Sequence, residues 1–192
     1  MKMPITIDQL KAIATKKNYL IYEDKLNIWG VRAADMTPNV FNDLIVAFYK
    51  KDAVWVVNSF KATTDPGLYW LKNPMNVQGA FIMAEYQNID SHTFGNHHDY
   101  PALVQCNKLK GYRDGDKDDQ FDLDPAKLQD VGLSGVNIHH AGQDSKQVDK
   151  WSAGCQVIAN LNDWNAFYKI VLGFKPIQSK FSYTLINEKD FA

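Results

Sequence analysis

Apolar side chains at Ile7, Leu10, Ile13 and Ala14 recur at helical spacing, so residues 6–17 are predicted to form a helix. Thr6 is its expected N-cap, and Gln9 three positions later completes a capping-box pattern. After it the period shortens. "YLIYEDKLNIWGVRA" carries short β-type runs broken by charge, and "DLIVAFYKKDAVWVVNSF" at 43–60 places two β-rich runs around a polar break, the pattern of a hairpin. "TTDPG" at 63–67 is a turn by its Asp-Pro-Gly chemistry. Further strands are expected at 79–87, at 101–113, in "GVNIHH" at 135–140 and at 180–186, where Phe181, Tyr183 and Leu185 alternate. "NDWNAFYKIVLG" at 162–173 is predicted as a helix capped by Asn162 and closed by Gly173. "DGDKDDQFDLDP" is expected to be a loop, and no internal repeat or low-complexity linker is visible. Many strands with few helices predict a mostly β, α+β domain built on a mixed sheet. A short helical N-terminal segment, 1–30, precedes the main domain, 31–192.

Composition narrows the picture. The 192 residues suffice for one domain with a real core, and 45% hydrophobic with 22% charged residues is globular usage. A net charge of -1 with scattered lysines and arginines excludes the basic footprint of a nucleic-acid binder. No apolar run is long enough for a membrane span, and no secretory h-region opens the chain, so synthesis in the cytoplasm is expected. Two cysteines, Cys106 and Cys155, do not make a disulfide framework, and free thiols are the simpler reading.

The segment "GVNIHHAGQDSKQVDKWSAGCQVI", 135–158, concentrates the candidate chemistry. A cysteine becomes a nucleophile as thiolate, usually beside an imidazole, and acyl transfer also needs donors for the oxyanion. Ser152-Ala153-Gly154-Cys155 supplies a thiol after a glycine that permits a tight turn. His139 ends a predicted strand 16 residues upstream. A buried structural cysteine is the competing reading.

His139 followed by Ser152-Ala153-Gly154-Cys155 resembles the catalytic motif of the YkuD-type L,D-transpeptidases: a histidine, a loop of about sixteen residues, then Ser-x-Gly-Cys. "TTDPG" is loosely similar to a turn of the same family, and "GVNIHHA" with "WSAGCQV" also looks like a group of proteins common in phages. The resemblance covers about 45 C-terminal residues closely and 43–134 loosely. It implies a β-sandwich-like catalytic domain acting on peptidoglycan stem peptides without cofactor or metal. Cys155 would be the nucleophile, His139 its base, and the amides of Gly154 and Cys155 the oxyanion donors. A phage-encoded enzyme would reach the wall at lysis. Two positions depart from the family. Cys155-Gln156-Val157 stands where the family has Cys-Ile-Arg or Cys-Val-Arg, so the arginine expected near the substrate carboxylate is missing, and His140 stands where the family has glycine.

Around this core, Ser152 is expected to orient His139 or the turn, and Trp151 to shape the acyl pocket or to pack. His140 and Gln156 are expected on the cleft wall. "GNHHDY" at 95–100 offers His98 and Tyr100 as substrate contacts, against a plain surface loop. Two rivals follow: a non-catalytic binding or structural protein on the same fold, and a zinc-dependent peptidoglycan hydrolase using the histidines, although no paired-ligand spacing appears. Asp114, Asp116 and Asp118 begin like a calcium loop, but Asp119 replaces the sixth-position glycine and Pro125 the twelfth-position glutamate, so a solvated acidic loop is expected.

Overall fold

The computed structural model describes residues 4–192. Its elements in chain order are α1 (Ile7–Lys17), β1 (Asn27–Arg32), β2 (Asp43–Lys51), β3 (Val54–Thr63), α2 (Leu68–Lys72), β4 (Ala80–Met83), β5 (Gln87–His97), β6 (Tyr100–Gln105), β7 (Leu109–Asp114), β8 (Gln129–Val131), β9 (Ile138–His140), β10 (Gln156–Ile158), α3 (Leu161–Gly173) and β11 (Lys180–Asn187). Eight strands close a barrel in the order β1-β11-β5-β6-β9-β10-β3-β2, and β4-β7-β8 form a separate small sheet. The barrel is mixed: β1 runs parallel to β11 and β9 parallel to β10, while the other neighbours are antiparallel. The mostly β, mixed-sheet expectation therefore holds, with closure into a barrel in place of two facing sheets.

The capping box forms as predicted: the Thr6 hydroxyl accepts from the Gln9 amide at 3.3 Å and the Gln9 side chain accepts from the Thr6 amide at 2.9 Å. The helix then lays Leu10, Ile13 and Ala14 on Trp29, Val46 and Phe48 of the barrel's outer face. This explains β1. Trp29 and Val31 face α1 while Ile28 and Gly30 face the barrel interior, so all six residues are buried and no polar alternation marks the strand. Gly30 is needed there, because a Cβ would fall 2.0 Å from the Tyr183 hydroxyl. The boundary expected at residue 30 cuts through β1. The N-terminal helix and the barrel thus share one continuous packing.

The 43–60 hairpin and the last strand form as expected. The strand predicted at 101–113 is instead two, because Cys106-Asn107-Lys108 leaves the barrel at the end of β6 and carries β7 into the small sheet. The 79–87 run likewise stops as a strand at Met83. Helix α3 starts one turn position earlier than predicted. Asn160, extended at φ -142°, caps it by accepting from the Asp163 amide at 2.9 Å, and Asn162 lies inside the first turn. Gly173 ends the helix without a left-handed conformation, and Phe174 continues in the right-handed region. The inner side of α3 (Trp164, Phe167, Val171) covers the barrel core of Ile28, Ile45, Phe60, Ile138, Ile158 and Tyr183. No helix among the described residues is long and apolar enough to cross a membrane.

Candidate active site

The site is built on the parallel pair β9–β10, whose register sets Gln156 beside Ile138 and Val157 beside His139. Strand alternation then divides the side chains. Ile138 and Ile158 enter the barrel, while Asn137, His139, Cys155 and Val157 share the opposite face. The chain from 141 to 154 folds back over that face. Ala141 donates to the Ile158 carbonyl at 2.9 Å, Val148 to Asn39 at 3.1 Å, and Gly67 to Ser152 at 2.8 Å. Phe41, Ala141, Val148, Val157 and Ala159 pack around the Cys155 thiol.

The turn before the cysteine is fixed from both sides. Ser152 donates to the Cys155 carbonyl at 2.8 Å and accepts from the Gly154 amide at 3.1 Å. Its role is to hold the turn, and no hydrogen bond joins it to His139. Gly154 sits at φ +120°, where a Cβ would also strike the Phe81 carbonyl at 2.6 Å, so only glycine fits. Gln156 is not on the cleft wall. It is fully buried inside the barrel, donates to the carbonyls of Thr64 and Gly154, and accepts from the Tyr183 hydroxyl at 2.6 Å. Alternation explains the difference: the residue after Cys155 must point the other way, and it braces the turn from behind.

His139 is 1% exposed. Its Nδ1 lies 2.9 Å from the His140 carbonyl and 3.0 Å from the Tyr100 hydroxyl. A carbonyl only accepts, so Nδ1 carries the proton and Nε2 keeps its lone pair. That Nε2 is buried with no hydrogen-bond partner. Burial, then the neighbouring His97, lowers the His139 pKa to about 3, so the ring is neutral. The Cys155 thiol points to the Gly135 carbonyl at 3.5 Å and accepts from the Asn137 amide at 3.4 Å. Burial pushes its pKa up to about 11. Thiol and imidazole are therefore both neutral at rest and not hydrogen-bonded to each other. Tyr100 is tied to both, because burial and then the nearby Cys155 raise its own pKa to about 12.

Tyr100, offered by the sequence as a substrate contact, meets the histidine, but His98, offered with it, does not. His98 and Asp99 form the two-residue tip between β5 and β6, with His98 exposed at φ 54°. Its neighbour His97 takes the place instead, stacked on His139 at 3.9 Å and 11° and receiving a hydrogen bond from the Asn137 side chain at 3.1 Å. His140 turns away toward Tyr100 and Trp164 of α3. Asn137 was missed by the sequence reading although alternation places it on the His139 face; it touches His97, Cys155 and, through its Oδ1, the Gln105 amide.

A cleft of about 370 Å³ opens beside the turn, bordered by Ala153 and Val136 and walled by Trp70, Met75, Phe81 and Arg113. Trp70, whose indole donates to the Lys150 carbonyl at 3.1 Å, lines it; Trp151 does not. Arg113 donates to the Gly79 carbonyl at 3.3 Å and lies over the Phe81 ring. It takes part in no ion pair among the described residues. Among the described residues the histidines and Cys155 nowhere bring three ligand atoms within 4.8 Å of one another.

A second buried histidine, His92, is structural: Ser91 lies 2.9 Å from its Nδ1 and the Val136 carbonyl 3.0 Å from its Nε2. Burial lowers its pKa to about 4, against 6.5 in an unfolded chain. Between pH 5 and 6 the unfolded chain therefore binds protons at His92 and His139 that the folded protein refuses. Asp43, raised by burial and then Asp65 from 3.8 to about 7, keeps one proton that the unfolded chain releases, which opposes the histidines. Stability is expected to fall on acidification from pH 6 to 5, by about 1 kcal/mol, with the lowered His97 acting in the same direction as the buried histidines. Urea unfolding at the two pH values measures it, and His92→Gln should make the slope shallower.

Comparison with protein families, characterised proteins and solved structures gives no match for the chain.

Proposed function

We propose that the protein is a cysteine acyl-transfer enzyme acting on peptidoglycan stem peptides, with Cys155 as nucleophile and His139 as its base. The observation that carries this reading is the His139 Nε2: a buried lone pair with no partner, on the same strand-pair face as the thiol. Leaving such a nitrogen unsatisfied costs about 1–3 kcal/mol, which a purely structural histidine avoids, as His92 does. In the reaction the Cys155 thiol transfers its proton to Nε2 as sulfur adds to the stem-peptide carbonyl. The leaving amine takes that proton, and water or an acceptor amine then releases the thioester by the same exchange. Gly154 has given its amide to Ser152, so the Cys155 amide is the remaining oxyanion donor of the two expected from the motif. Arg113, unpaired at the cleft wall, supplies the charge for a substrate carboxylate that the motif's missing arginine would otherwise give.

Intact mass after incubation with a carbapenem, which acylates thiolates of this family, tests the reading. A single adduct is expected on the wild type and none on Cys155→Ala. A second reading, a binding protein on the same scaffold, is favoured by the 8% exposure and raised pKa of Cys155. Absence of an adduct together with slow alkylation by iodoacetamide would establish it instead. The zinc-hydrolase alternative gains no support, since among the described residues no three ligand atoms of the histidines and Cys155 come within 4.8 Å of one another.

A further inference from the structure

We propose that the loop following β7 holds a divalent cation of the calcium class on the carboxylates of Asp114, Asp116 and Asp122. One oxygen from each of the three lies within 4.8 Å of the others. Around a single calcium ion, oxygens at about 2.3–2.6 Å sit at most about 5 Å apart, so the group fits one coordination sphere; magnesium, which keeps several waters and takes only one or two carboxylates, suits a three-carboxylate cluster less. The donors are all hard oxygens, with no nitrogen or sulfur that would favour zinc.

Acidic loops are common without any ion, and the discriminating feature is Asp114. It is 1% exposed, and its Oδ1 is buried with no hydrogen-bond partner, while its Oδ2 accepts only from the Asp122 amide at 3.1 Å. A buried carboxylate oxygen without a donor is costly unless a cation satisfies it. The residue cannot relax away. It ends β7 opposite Ala80, and Gly79 approaches so closely that a Cβ would lie 1.8 Å from the Asp114 carbonyl. The positive groups nearby do not fill the role. Lys127 is exposed and 3.9 Å from Asp122, and Arg113 is turned to the Gly79 carbonyl and the Phe81 ring. Asp118, Asp119 and Asp124 add further negative charge on the same loop. The ligation differs from that of a twelve-residue calcium loop, since it uses the rigid strand end and a residue eight positions on, which is why Asp119 and Pro125 do not forbid it.

The test uses the full chain stripped with EDTA and titrated with calcium chloride alone, read by calorimetry and by thermal melting. One calcium per chain is expected. The melting temperature should rise by about 5–10 °C at a hundredfold excess over Kd. Asp116→Asn and Asp122→Asn lie outside the buried core, so they fold; each should abolish the heat and the shift, while Asp119→Asn retains both. No heat and no shift up to about 10 mM calcium overturns the proposal. So does an undiminished response in Asp116→Asn and Asp122→Asn, or an equal response to magnesium.

Discussion

His139→Gln is expected to slow acylation of Cys155 by about 10²–10⁴-fold and to change its dependence on pH. The two parts of this result have one cause. In the wild type the base is neutral from about pH 4 upward, because burial holds its pKa at about 3, and the thiol is protonated up to about 11. Proton transfer within that pair needs no pre-formed thiolate, so the acylation rate should be nearly flat between pH 5 and 8. Without the imidazole only the free thiolate reacts, and its population rises tenfold per pH unit below the thiol pKa. The variant should therefore show a log-linear rise with pH where the wild type shows none. Stopped-flow or mass-resolved carbapenem acylation across that range provides the measurement. A variant that is slower yet keeps a flat profile would give His139 a structural role only. Unchanged rate and profile would remove it from the chemistry. His139 must also move toward the sulfur, or the thiol rotate from the Gly135 carbonyl, since no hydrogen bond joins them at rest.

What the sequence revealed depended on how many faces of each strand are buried. The 43–60 hairpin, the last strand and both long helices were visible because one side of each carries a regular apolar pattern. β1 showed only as a short β-type run without alternation, being covered by α1 on one side and the core on the other. β5 was missed for another reason: its buried positions include Gln87, Asn88, Ser91 and His92, polar residues whose hydrogen-bond partners only the folded barrel supplies, the Asn88 Oδ1 accepting from the Lys110 amide. At the candidate site the motif pointed to the Ser152–Cys155 turn, and alternation along β9 sets His139 and His140 on opposite faces. The same alternation also assigns Asn137 to the thiol face and Gln156 to the interior, and applied consistently it would have placed both. Arg113 and Phe81 were out of reach, because the small sheet that brings them to the cleft is assembled from β4, β7 and β8, far apart in sequence.

Asp65→Ala should cost about 3–5 kcal/mol of stability, because it strands a charge in the interior. Arg32 is 1% exposed and holds Asp65 through two contacts, Nη2 to Oδ1 at 2.6 Å and Nε to Oδ2 at 3.1 Å, with Nη2 also donating to the Met83 carbonyl at 2.8 Å. Asp43 stands beside the pair and accepts from the amides of Ala33 and Thr64 and from the Thr64 hydroxyl. Removing Asp65 relieves the repulsion that helps raise the Asp43 pKa, so Asp43 ionises more readily and becomes the partial counter-ion. Arg32→Met does the reverse and leaves two carboxylates facing each other. Its loss should be larger at pH 8 than at pH 5, where a proton can neutralise Asp43, whereas the Asp65→Ala loss should not grow with pH. Replacing both Arg32 and Asp65 by apolar residues should recover part of the loss, since neither charge is then orphaned. Urea unfolding of the three variants at both pH values decides it. Equal losses for Arg32→Met at pH 5 and 8 would mean that Asp43 does not titrate with the pair. The network also reaches the candidate site. The Thr64 carbonyl accepts from Gln156, which holds the Gly154 carbonyl, and Met83 is two residues from Phe81, on which Gly154 rests. In Asp65→Ala the Ser152–Cys155 turn loses that backing, so Cys155 acylation should slow in the variant even at temperatures where it remains folded.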